Sequence, residues 1–169
     1  MKCLFSISLL LIGTMAFGQK FNLDLPKAKV TFYFHGEKVD GSVSGLKASV
    51  FINKDKPELS EISGSVDVNT LETGNKMRDK HLKSSDYFHA DKFPTMSFKA
   101  KSIVKDTDGY LISGLIKIKD IEREEKFSLT ISKGTLIFKG TINSADYGIM
   151  KKKKREDSQV DITIEIPFI

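Results

Sequence analysis

At 169 residues the chain is long enough for one domain with a sizeable core, and nothing in it asks for two. A composition of 40% hydrophobic and 29% charged residues indicates neither disorder nor a membrane span. The formal net charge is +5, but much of the excess sits in one run, Lys151 to Arg155, and both signs mix elsewhere, so the broad basic face of a nucleic-acid binder is excluded.

Residues 1–18 read as a signal peptide. Lys2 supplies the basic start, Leu4 to Ile12 the apolar stretch, and Ala16 and Gly18 the small residues that precede a cleavage site at Gln19. The apolar run is too short for an ordinary membrane-spanning helix. Cleavage leaves one domain, 19–169, in the periplasm or secreted. Cys3 is the one cysteine and departs with the signal, so the mature chain has no disulfide, no thiolate metal site and no thiol nucleophile.

Alternation of period two dominates the mature chain. Ala28, Val30, Phe32 and Phe34 share one face, then Leu46, Ala48, Val50 and Ile52, then Ile62, Gly64, Val66 and Val68. Met96, Phe98 and Ala100 come next, followed by Ile112, Gly114, Ile116 and Ile118. Phe127, Leu129 and Ile131 precede Leu136, Phe138, Gly140 and Ile142. Val160, Ile162, Ile164, Ile166 and Phe168 form the last and cleanest run, with Pro167 expected near a strand end, an edge or a bulge. Turn signals fall at Asp40-Gly41, Lys54 to Glu58, Asp106 to Gly109, Lys133-Gly134 and the basic run. The spacing is that of hairpins, so the chain is expected to be all-β: about eight antiparallel strands, each with one apolar face, that must close on themselves to bury it.

One polar island, Thr70 to Phe88, interrupts the strands. It predicts a short helical insertion around 75–88: a helix over Lys76 to Leu82 capped by Thr73 or Asn75, and a second helical turn over Ser84 to Phe88. Pro94 then returns the chain to extended structure. Here the chain resembles a known family. Val66 to Asn75, Arg78-Asp79, His81-Leu82, Ser85 to Phe88 and Lys92-Phe93-Pro94 resemble the YceI-like family, periplasmic lipocalin-like proteins that bind polyisoprenoids and related lipids. The likeness extends upstream to Val30 to His35 and Val43 to Gly45, and downstream to Tyr110 to Lys119, Ile142-Asn143 and Asp146-Tyr147-Gly148. It implies a single lipocalin-like barrel with a long apolar tail inside. Three positions depart from the family pattern: His89, Ser144 and the basic loop after Gly148.

Alternation alone is compatible with a dry, packed core or with a hollow one; the resemblance favours the hollow one. The inward residues that would then line a lipid site are Phe32, Phe34, Val50, Val66, Phe98, Ile116, Phe127, Phe138 and Ile164. Arg78, His81, Lys151, Lys152 and Arg155 are candidates for the entrance and a lipid headgroup. For Arg78 and Asp79 the plainer role is to satisfy loop backbone groups and fix the island to the barrel. The basic run serves equally well as a solvated hairpin or as a patch for transient contact with an anionic membrane.

No catalytic residues are assigned. Ser84, Ser85, His81 and Asp86 supply triad residue types without a nucleophile elbow, and no glycine-rich phosphate loop is present. His35, His81 and His89 match no compact metal-ligand spacing, so neither metal nor cofactor is expected beyond a bound isoprenoid-like lipid. The expected function is therefore non-catalytic: sequestering or carrying a prenyl phosphate, quinone or fatty-acyl relative. The competing reading is a packed barrel that offers its basic loop to a protein partner. Oligomeric state stays open, a dimer included.

Overall fold

The computed structural model describes residues 18–149 and 154–169, so the signal segment assigned to 1–18 lies outside the described residues except for Gly18. Ten strands form: β1 (Gly18–Lys20), β2 (Lys29–Phe34), β3 (Val39–Val43), β4 (Lys47–Asn53) and β5 (Glu61–Asp67). After the island come β6 (Thr95–Asp106), β7 (Gly109–Ile118), β8 (Ile121–Ser132), β9 (Thr135–Asn143) and β10 (Gln159–Pro167). They join one antiparallel sheet in the order β1-β4-β5-β6-β7-β8-β9-β10-β2-β3. The eight runs of alternation are eight of these strands. β1 and β3 are additions, both short.

Asp40 and Gly41, expected to turn, instead lie within β3 opposite Tyr33 and Phe32. The turn falls earlier, over 35–38, and Lys38 takes the left-handed φ of 52° that ends it. β6 runs past Ala100, where alternation lapses, because a bulge between Ala100 and Ser102 shifts the register by one and turns Ile103 inward. Pro167 is the last residue of β10, where no ladder donor is needed.

The sheet curls into a lipocalin-like barrel, but β3 does not ladder with β4. The backbone of Ser42 instead exchanges two hydrogen bonds with Glu72, at 2.8 and 3.0 Å. Asp67 N donates to Ser44 O at 3.1 Å, and Thr70 Oγ1 accepts from Ser44 N at 2.7 Å. The segment after β5 thus stitches the seam, supplying partners that an exposed strand edge would otherwise lack.

Helix α1 (Lys76–Lys83) sits on this segment. Asn75 caps it by accepting from Met77 N and Arg78 N, both at 3.1 Å. The second expected helical turn is absent: Ser84 to Phe88 form a chain of turns in which Phe88 N reaches back to Leu82 O and His89 N to Ser84 O. His89 holds a φ of 51° there, which stops helical continuation. Among the described residues no helix is long and apolar enough to cross a membrane.

Inside, the barrel is solid at one end and hollow at the other. Ile52, Ile103, Tyr110, Ile112, Leu129 and Leu136 are buried in the core cluster and do not line the cavity. The chain entering β2 crosses the solid end: Phe21 stacks edge-on against Phe168 with 4.9 Å between ring centres, and Asp24 N bonds Pro167 O at 2.8 Å. Towards the island three large inward rings are laid flat over glycines of neighbouring strands: Phe32 over Gly41, Phe98 over Gly114 and Phe127 over Gly140. A methyl group on Gly140 would stand 2.6 Å from the Phe127 ring and 2.8 Å from the Lys126 carbonyl. Gly140→Ala is therefore expected to lower stability by about 1–3 kcal/mol. A urea melt with an unchanged midpoint would show that the ring does not rest on this glycine.

Candidate functional site

The hollow end encloses a cavity of about 230 Å³ walled almost wholly by apolar atoms. One water occupies roughly 10–15 Å³ by the same kind of measure and needs two to four polar partners, so the space is large and poorly suited to water. Strands β2 through β10 all contribute, because alternation points every second residue of each into it. All nine residues assigned to the interior from the sequence line this cavity: Phe32, Phe34, Val50, Val66, Phe98, Ile116, Phe127, Phe138 and Ile164. The Phe98 and Phe127 rings meet edge-on with 5.3 Å between centres and form one stretch of wall.

The five entrance candidates separate. Arg78 lines the cavity at the island end, half-exposed, with Leu82 beside it one helical turn on. Its Nε donates to Thr73 Oγ1 at 2.8 Å and its Nη2 to the Thr73 carbonyl at 2.9 Å. Asp79 takes Thr73 from the other side, accepting from its backbone N at 2.8 Å and its hydroxyl at 2.5 Å. The plainer role thus exists, since both side chains order the loop, yet Arg78 faces the cavity as well.

His81 does not reach the cavity. It is exposed, with its ring tilted onto Tyr87 at 5.7 Å. Arg155 does not line it either: its guanidinium forms a two-pronged pair with Asp146, at 2.7 and 2.6 Å, and holds that carboxyl below the usual aspartate range. Lys151 and Lys152 lie outside the described residues.

Several lining residues carried no alternation signal. Leu71, Thr73, Leu82 and Phe88 come from the island, Tyr147 from the short helical turn after β9, and Ile149 from just beyond it. Tyr147 and its neighbours Asp146 and Gly148 carried family resemblance instead. Glu125 gave no signal, because a carboxylate is not expected on an inward position. It shares the face of Phe127 and Leu129 and accepts from the hydroxyl of fully buried Tyr147 at 2.9 Å. Burial pushes the Glu125 carboxyl above its ordinary value, with the Tyr147 hydrogen bond opposing it. Burial also drives the Tyr147 hydroxyl above the tyrosine range, reinforced by Glu125, so Tyr147 stays a donor.

The residues with catalytic or metal chemistry are dispersed. Ser84 Oγ donates to the His81 carbonyl at 2.7 Å rather than to its ring. His35 pairs with Asp161 on the outer wall at 2.7 Å, and His89 packs edge-on against Phe93. Among the described residues no three or more His, Asp or Glu side chains converge as a metal site would require.

Comparison with known proteins agrees with this architecture. Residues 21–168 match the model of the YceI-like domain. A UPF0312 protein of Photorhabdus laumondii is 22% identical over 121 residues, covering 69% of this chain and 63% of its own length. One of Staphylococcus aureus is 29% identical over 144 residues, covering 78% and 81%. Among solved structures, BcnA of Burkholderia cenocepacia superposes with a TM-score of 0.71 at 20% identity, over 86% of this chain and 98% of that one. A polyisoprenoid-binding domain from Saccharophagus degradans, implicated in plant cell wall breakdown, superposes at 0.58 with 11% identity, over 88% and 97%. At these identities the structural likeness speaks to fold alone.

The inward carboxylate generates a prediction with a definite sign. A raised folded-state pKa means that ionised Glu125 is disfavoured in the fold, so it opposes stability at neutral pH. That penalty fades as pH falls towards the unfolded glutamate value of about 4.3. Glu125→Gln keeps an acceptor for Tyr147 and removes the charge. The variant should melt above the parent at pH 7, and the gap should close near pH 4; a gap that widens on acidification would reverse the assignment.

Proposed function

Because this chain belongs to the YceI-like family, we propose that it is an exported, non-catalytic carrier that holds the long apolar tail of an isoprenoid-type lipid inside its barrel. One observation carries this reading: the apolar cavity of about 230 Å³ at the island end. The cavity offers water, along its apolar wall, few of the polar partners that water needs. A tail entering it gains about 0.8 kcal/mol for each methylene removed from water. Shape and burial then hold the ligand with almost no polar contact, which accounts for the scarcity of polar atoms in the wall. The polyisoprenoid binding named for the Saccharophagus domain supports an isoprenoid tail over other apolar chains.

Export to the periplasm or beyond rests on the signal read in residues 1–18, and a lipid moving between membranes from there needs shielding in transit. Exposed Lys76, Met77 and Lys80 on α1 would let the open end touch an anionic bilayer briefly. A packed interaction module, the competing reading, has no use for the void.

Organic extraction of the purified protein followed by mass spectrometry should release a prenyl-type lipid, or the stripped protein should take one up. A lipid-free preparation that also rejects added prenyl lipids would end the carrier reading. Ala48 lines the cavity and can be enlarged into it. Ala48→Phe should depress lipid uptake at least tenfold while leaving the melting temperature of the stripped protein unchanged or higher, and undiminished uptake would place the tail elsewhere.

A further inference from the structure

We infer that Arg78 selects the ligand's head as well as framing its entrance, so that the preferred ligand is an anionic-headed amphiphile, with a phosphate monoester or a free carboxylate as head, and not the corresponding neutral alcohol. This rests on the carrier reading above and adds the chemistry of the head to it. Arg78 is the one lysine or arginine among the described residues that line the cavity.

Its contacts leave it incomplete in a specific way. The guanidinium offers five N–H donors, and among the described residues two of them are used, both by neutral oxygens of Thr73. Among the described residues no carboxylate oxygen lies within 4 Å of it; the ion pairs found elsewhere join Lys27 to Asp24, His35 to Asp161, Lys101 to Glu124 and Arg155 to Asp146. Asp79 is next to it in sequence, but both its contacts go to Thr73. Glu37, the one carboxylate on the described lining, is engaged in an interaction of its own.

Arg78 is thus fixed through two donors of its planar fork, and the residue lines a cavity whose wall is almost wholly apolar. There the low polarity of the wall strengthens any charge–charge hydrogen bond that forms. A planar fork with free parallel donors suits two oxygens of one anionic group, the arrangement in which arginine exceeds lysine. A hydroxyl head offers a single uncharged acceptor and gains far less. The head would then sit at the island end with its tail directed towards Phe98 and Phe127.

Matched ligands test this: farnesyl phosphate and farnesol share a tail and differ only in the head, and inorganic phosphate supplies the head without the tail. Titration calorimetry with the stripped protein should show farnesyl phosphate binding at least tenfold more tightly than farnesol, and no measurable binding of inorganic phosphate at millimolar concentration. Arg78→Gln should bring the farnesyl phosphate to farnesol affinity ratio close to one, whatever the change in farnesol binding itself, and Arg78→Lys should restore part of the preference. The readout is a ratio within one protein, so a general loss of stability from the missing Thr73 contacts does not imitate it. Equal affinities in the parent, or a preference that survives in Arg78→Gln, would overturn the head assignment while leaving the carrier reading intact. Arg78-dependent binding of inorganic phosphate alone would overturn it too, by showing an anion site independent of the tail. Failure of both amphiphiles to bind would remove the carrier reading and this inference together.

Discussion

A hollow barrel depends on keeping its own side chains out of its interior. Apolar residues on every inward face tend to interlock, because close packing recovers dispersion contacts that a void forfeits. Here the largest of them are held against the wall. Phe32, Phe98 and Phe127 each rest on a glycine of an adjacent strand, where no Cβ props the ring inward. The same rings packed over alanine or valine would lean into the space they now border. Where no such shelf is provided, at the end of Ile52, Ile112 and Leu136, the core is solid. Glycine placement thus divides the interior into a packed half that stabilises and an open half that can accept a guest.

The island between β5 and β6 serves both the wall and the opening. Its first residues bond the edge of β3 at Ser42 and the following Ser44, through Glu72 and Thr70. Its helix then lays Leu82 and Arg78 across the cavity. Thr73 ties the loop to the helix, since its hydroxyl accepts from Arg78 and donates to Asp79 while its backbone bonds both.

Most of the wall was legible in the sequence because period-two alternation is a direct consequence of one-sided burial. The strands carrying Phe32, Val50, Phe98 and Ile164 follow from it without further information. What escaped did so for local reasons. Asp40-Gly41 has turn chemistry, but its glycine is required beneath Phe32, so a turn signal was in fact a packing signal. The bulge in β6 hid Ile103 by shifting its parity. At the entrance, residue type suggested five candidates, and of the three described only Arg78 lines the cavity. Arg155 is satisfied by Asp146, and His81 turns towards Tyr87, which no spacing rule could separate from Arg78. Glu125 was invisible for the opposite reason: its partner, Tyr147, is 22 residues away in a segment without periodicity.

The packed end has a consequence for kinetics. Phe21, Ile52 and Leu136 are buried and do not line the cavity, so in the carrier reading a tail entering past Arg78 would meet packed side chains ahead of it. It must back out the way it came. Release then requires each buried segment to be re-exposed to water in turn, so dwell time should grow steeply with chain length. In the carrier reading the barrel would then act as a thimble and not a pipe, discharging its cargo only when the receiving surface takes hold of the head first.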